Sequence, residues 1–131
     1  MALMYIDFQL ESKSCNLDEL NIFEGKKIVS MHRIGDISRT KLILNYSQIN
    51  YHFCEGDYSD ISDLFTNFIS ELDSKDQKLF NYIETMEISC SLSVVIKKFD
   101  EELSFTILPE HIDLFNKLHC KIDFDYYDMT S

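Results

Sequence analysis

Residues 57–72 read DYSDISDLFTNFISEL. Within them Ile61, Leu64, Phe65, Phe68, Ile69 and Leu72 recur at the three-and-four spacing of one helical face. Asp57 and Ser59 stand ahead of the first apolar turn as N-cap candidates, and Asp57, Asp60 and Asp63 place negative charge where a helix N-terminus favours it. An apolar face of two phenylalanines and four aliphatics must lie on something. Period-two segments flank it on both sides, so the expected architecture is one sheet with helices laid against it.

Working outward, Ile6, Phe8 and Leu10 alternate with Tyr5, Asp7, Gln9 and Glu11, the pattern of a strand with one face on a core. Asn16 followed by Glu19 predicts a capping box for a short helix carrying Leu17, Leu20 and Phe23 and stopped by Gly25. The stretch 26–41 gathers Lys26, Lys27, Arg33, Arg39 and Lys41 against Asp36, with Gly35 and Asp36 as a turn signal. It is too short and too poor in aromatics for a nucleic-acid site and is expected near acidic regions of the same fold. Strands are expected at 42–46 and 49–54, and a second helix, with a capping box at Ser74 and Gln77, carries Leu79, Phe80 and Ile83. Ile88, Cys90, Leu92, Val94 and Ile96, then Leu103, Phe105 and Ile107, predict a hairpin around the turn Asp100, Glu101, Glu102. Pro109 suits the first turn of a helix with Ile112, Phe115 and Leu118. A last strand turns Ile122, Phe124 and Tyr126 to the core and Asp123, Asp125 and Tyr127 away from it. The expected fold is a single α+β domain over 1–131, a mainly antiparallel sheet of five to six strands with helices packed chiefly on one face, in the order β-α-β-β-α-α-β-β-α-β.

Composition narrows the function. The 131 residues are 45% hydrophobic with ten Phe and one Pro, enough for a core without disulfides. Cys15, Cys54, Cys90 and Cys120 show no paired spacing and read as reduced thiols. Residues 1–10 carry Asp7 and no basic segment leading into an apolar run, so they read as neither signal peptide nor membrane span, and the expected location is cytoplasmic. Net charge is −11. Residues 1–54 balance six acids with six basic residues, whereas 55–131 hold 17 acids against six, so the whole excess lies in the second part. Such a surface repels nucleic acid and anionic membranes and attracts basic proteins, while charge alone is equally explained by solubility.

Catalytic and metal signatures are weak. His119 and Cys120 are adjacent, so their side chains diverge; Cys54 and His52 fit one strand face, but packing explains such a pair as readily as chemistry. His111, His119 and Cys120 lack zinc-motif spacing, and Asp123, Asp125 and Asp128 alternate with aromatics instead of forming a calcium loop with a glycine bend. The expectation is a non-enzyme with no cofactor and no metal.

Residues 91–129, SLSVVIKKFDEELSFTILPEHIDLFNKLHCKIDFDYYDM, have an order of strand, charged turn, strand, helix and acidic-aromatic strand that resembles the C-terminal half of a small bacterial domain-of-unknown-function family. The chain is also similar to the small acidic immunity proteins encoded beside contact-dependent growth-inhibition and other polymorphic toxins. The resemblance implies an antitoxin that binds and neutralises a cognate basic nuclease toxin in the cytoplasm. The alternative is a non-catalytic adaptor or regulatory binding domain. Two acidic patches are candidates for partner binding: Asp123, Asp125, Tyr127 and Asp128 on the last strand, and Tyr58, Asp57, Asp60 and Asp63 at the start of the central helix.

Overall fold

A computed structural model describes residues 2–73, 76–99 and 102–129, without the side chains of residues 73, 76 and 77. Five strands, β1 (Ala2–Ser12), β2 (Ile28–His32), β3 (Ser47–Tyr58), β4 (Ile88–Lys98) and β5 (Lys121–Asp128), form one sheet in the order β2-β3-β1-β4-β5. All neighbours are antiparallel except β4 and β5, which are parallel and joined through a helix, as a parallel pair requires. Helices α1 (Ile61–Asp73), α2 (Asp76–Thr85) and α3 (Pro109–Leu118) complete the α+β fold, with a 3-10 turn at Leu17–Leu20. No helix among the described residues is long and apolar enough to cross a membrane.

The core lies between one sheet face and the helices. Ile6, Phe8 and Leu10 of β1, Ile49, Tyr51 and Phe53 of β3, and Leu92, Val94 and Ile96 of β4 all point to it, and the α1 face packs on them through Leu64, Phe65, Phe68 and Leu72. Phe8, Phe23, Phe53 and Phe68 form one aromatic cluster with centroids 5.2–6.2 Å apart, tying two strands, the segment after the 3-10 turn and α1 together. Phe65 meets Phe115 at 5.0 Å and fastens α3 to α1.

Several local expectations are corrected. Leu103, Phe105 and Ile107 do not make a hairpin with β4. Their segment crosses to the start of α1, where Ile61 N–H donates to Ser104 O and Ser104 N–H to Ser59 O, so it satisfies one of the amides that a helix N-terminus leaves open. Residues 42–46 form no strand either; Ile37 and Ile43 bridge within a small projecting turn, and the missed strand is β2. Asn16 makes no cap bond to the 3-10 turn, because its side chain accepts the Ile34 amide, and Asn21 in left-handed conformation ends that turn before Gly25. Ser74 and its expected capping box with Gln77, and the Asp100 and Glu101 part of the charged turn, lie outside the described residues and side chains. The basic stretch does turn to acids of the same fold, Arg33 to Asp18 and Glu19, and Lys26 to Glu71.

The N-cap of α1 is Asp60, since Asp57 belongs to β3. One Asp60 carboxylate oxygen accepts the Ser62 amide at 2.9 Å and the Thr106 amide at 3.1 Å. The Ser62 amide first, and the Thr106 amide with it, hold this carboxyl well below the ordinary range against the opposing effect of burial. A depressed carboxyl contributes stability in full above its unfolded pKa, near 4, and loses it as pH falls towards the folded value. Asp60→Ala is therefore expected to cost about 1–2 kcal/mol at neutral pH and to flatten the acid limb of the stability profile. Urea unfolding at pH 7 and pH 3 checks this; an unchanged midpoint at pH 7 refutes the capping role.

Candidate functional site: the uncovered sheet face

The helices take one side of the sheet, and the other side carries no helix among the described residues. Strand register sets out its side chains in rows. Gln48 lies beside Glu11 and Ser89; Asn50 beside Gln9, Ser91 and Lys121; His52 beside Asp7, Ser93 and Asp123. Further along, Tyr5 neighbours Val95 and Asp125, and Asp57 runs through Leu3 and Lys97 to Tyr127. With Glu55, which reaches His52, the face presents six carboxylates against Lys97 and Lys121, and Lys27 borders it beside Asp7, His52 and Glu55.

Its centre is built rather than merely solvated. His52 Nδ1 lies 3.0 Å from Asp7 Oδ1 and Nε2 lies 3.2 Å from Glu55 Oε1, while the Tyr5 ring sits 4.7 Å from the imidazole. Burial first, then the charges of Asp7 and Glu55, with Tyr127 and Asp125 behind them, push the Tyr5 phenol up. Across the strands, Gln9, Glu11, Ser91, Ser93, Lys121 and Asp123 line a shallow groove of about 440 Å³. Carboxylates in rows, interleaved with serine and amide groups and bordered by Tyr5 and Tyr127, suit Lys and Arg side chains as donors.

The predicted site residues are thereby sorted. Asp123, Asp125 and Tyr127 share this face with Asp57, which the sequence grouped with the central helix. Asp128 neighbours Lys98 and has the opposite parity. The second patch is dispersed: Asp63 is exposed in the first turn of α1, Asp60 is the cap, and the Tyr58 hydroxyl donates to Cys54 O at 2.7 Å and accepts from Asn67 at 3.2 Å. Asp60 and Asp63 therefore do not act as an outward pair. Asp7, Glu11, Glu55, His52 and Tyr5 were missed as site residues. The alternation of β1 marked the first two as polar, but only strand order places them beside β5.

Cys54 and His52 do not share a face. A β-bulge between Met4 and Ile6, with Cys54 at φ 60°, turns the thiol to the core side, near Glu71 and Lys26. Burial, then the Glu71 charge, pushes the Cys54 thiol up to about 12, and burial alone does the same to Cys90. Cys120 is raised further, again by burial. At pH 7.5 iodoacetamide is expected to leave Cys54, Cys90 and Cys120 unmodified in the native protein and to modify them in urea. Mass spectrometry reads the outcome, and rapid native labelling of Cys54 would reveal the thiolate that a nucleophile requires.

His111, His119 and Cys120 are also separated. His111 is buried near the start of α3, where Nδ1 accepts the Leu108 amide at 3.1 Å and Nε2 lies 3.2 Å from Thr66 Oγ1; burial lowers its pKa. His119 is the left-handed C-cap at the far end of α3, about 12 Å away at helical rise. Among the described residues no group of three or more His, Cys, Asp or Glu is placed to hold a metal.

A five-stranded sheet covered by helices on one side and bare, polar and acidic on the other defines a two-layer α+β domain with an open sheet face. The chain belongs to the DUF4279 family, a domain of unknown function, whose model matches residues 3–129. Comparison with curated proteins and with solved structures finds no match.

Proposed function

We propose that the protein is an immunity protein that binds a basic toxin domain through the uncovered sheet face and neutralises it without catalysis. The observation that carries this reading is the convergence of Asp57, Asp123, Asp125 and Tyr127 with Asp7, Glu11 and Glu55 on one open surface. Charge of one sign gathered on a face accelerates encounter with an oppositely charged partner, and aromatic side chains within it supply anchors that slow release. The resemblance of the chain as a whole to small acidic immunity proteins supplies the partner class, a nuclease whose own substrate demands a basic surface. Co-expression with a basic toxin domain taken from the genes beside this one is the test. Relief of growth inhibition, together with a one-to-one complex whose association slows as salt rises, is the expected result. Unrelieved toxicity and no complex at low salt would sink the reading.

A second reading, a non-catalytic adaptor, is favoured by the projecting turn before β3, where Ile37, Leu42 and Ile43 are 71%, 66% and 76% exposed. An adaptor using that turn would bind with little salt dependence and would lose its partner on Ile37→Ser with Ile43→Ser.

A further inference from the structure

β5 is an edge strand: it pairs with β4 on one side, and among the described residues nothing pairs with its other side. Such an edge offers a row of backbone donors and acceptors to any extended chain. Native edges are commonly blunted by proline, bulges or short length, yet β5 runs eight residues without a proline, and no register shift interrupts its pairing with β4.

The two sides of this edge differ in chemistry. On the helix side Ile122, Phe124 and Tyr126 follow the register of Leu92, Val94 and Ile96, but Phe124 and Tyr126 remain 47% and 48% exposed. Next to them Ile107, Ile112, Phe115 and Ile122 line an apolar groove of about 330 Å³, with Ile112 itself exposed. On the open side stand Asp123 and Asp125, with Lys121 3.6 Å from Asp123 as the nearest cation of the strand. A strand added here would place alternate side chains in the apolar groove and beside the two aspartates, because successive residues of a strand point to opposite faces.

We infer that the β5 edge accepts an extended segment of the partner as a sixth strand, and that this segment alternates apolar residues with Lys or Arg. The inference rests on the reading that the partner is a basic protein and names how it is held. A second copy of this chain is the wrong occupant. Antiparallel β5 pairs centred on residue 124 or 125 set Asp123 against Asp125 or Asp125 against itself, and like charges directly opposite one another are destabilising; the pair centred on 123 also sets Asp123 against itself, offset there by Lys121 opposite Asp125. A basic alternating segment removes that repulsion and covers the exposed Phe124 and Tyr126 in the same step.

The probe is a labelled eight-residue peptide alternating valine and lysine, titrated into the full chain by fluorescence anisotropy. Three comparators are used: the same composition in block order, valine alternating with glutamate, and the alternating lysine peptide N-methylated at either its valines or its lysines. The alternating lysine peptide is expected to bind, with the block and glutamate forms much weaker and amide hydrogens of residues 121–128 gaining protection from exchange. Because one set of alternate amides faces β5 and the other faces solvent, one N-methylated form should lose at least about tenfold in affinity and the other little. Equal affinity of both methylated forms, or protection at β2 instead of β5, overturns the inference. Glu55→Lys with Asp57→Lys, three strands away on the same face, separates the two ideas. It should leave the peptide's affinity within about twofold while slowing association of a whole basic domain. A domain that binds with salt dependence while the alternating peptide does not would retire the added strand and leave the function standing.

Discussion

Phe8→Ala is expected to lower stability by about 3–5 kcal/mol, a large share of the roughly 5–15 kcal/mol that a domain typically possesses. Phe8 is fully buried on the central strand and meets Phe23, Phe53 and Phe68 at 5.8, 6.2 and 5.5 Å. Truncation removes its own burial and leaves a void whose walls are backbone-anchored on β1, β3 and α1, so little can collapse into it. Phe8→Leu retains most of the volume and should lose only a fraction of that amount. Urea unfolding followed by far-UV circular dichroism measures both. A loss under about 1 kcal/mol for the alanine variant would mean that the aromatic cluster is not the centre of the core.

The second large effect concerns association. Asp123→Lys with Asp125→Lys changes the charge of the open face by four units at its β5 end and should slow association with a cognate basic domain about tenfold or more at low salt, flattening the salt dependence. Stability should move by no more than about 0.5 kcal/mol, since both residues are exposed. Tyr127→Ala, which leaves the charge unchanged, should instead speed dissociation. Asp63→Lys is the proper control from the helix layer, because reversing Asp60 would also break the α1 cap. Surface plasmon resonance at two salt concentrations separates the rates. Unchanged association for the double reversal, with slowing for Asp63→Lys, would move the interface to the helix side.

The parts of the fold that could be read in the sequence are those whose pattern and whose partner agree. The α1 face repeats strongly enough that no other element fits residues 61–72, and the alternation of β1 and of β4 reports a sheet with one buried side. β2 was hidden because Ile28, Val29 and Met31 are exposed and stand among basic residues; its strand character comes from pairing with β3, which no local pattern records. The alternation at 103–107 is real, but the backbone there is claimed by the start of α1, so periodicity named a conformation and mistook its partner. In β5 the alternation marks the strand but does not report burial. A ten-residue helix spans about 15 Å and an eight-residue strand about 26 Å, so α3 shelters Ile122 and leaves Phe124 and Tyr126 uncovered. Half of the acidic face was legible for the same reason. Asp123, Asp125 and Tyr127 declare themselves by spacing, whereas Asp7, Glu11 and Glu55 join them only once the order β3-β1-β4-β5 is known.

The central place of β1 also governs how the molecule is made. The strand that leaves the ribosome before the other four must wait for β3 on one side and β4 on the other, and β4 ends at Lys98. At about 5–20 residues per second, the 86 residues between Ser12 and Lys98 take roughly 4–17 s to synthesise. Throughout that interval Met4, Ile6, Phe8 and Leu10 have no finished sheet to enter, so the apolar face of β1 is most open to aggregation while the chain is being made.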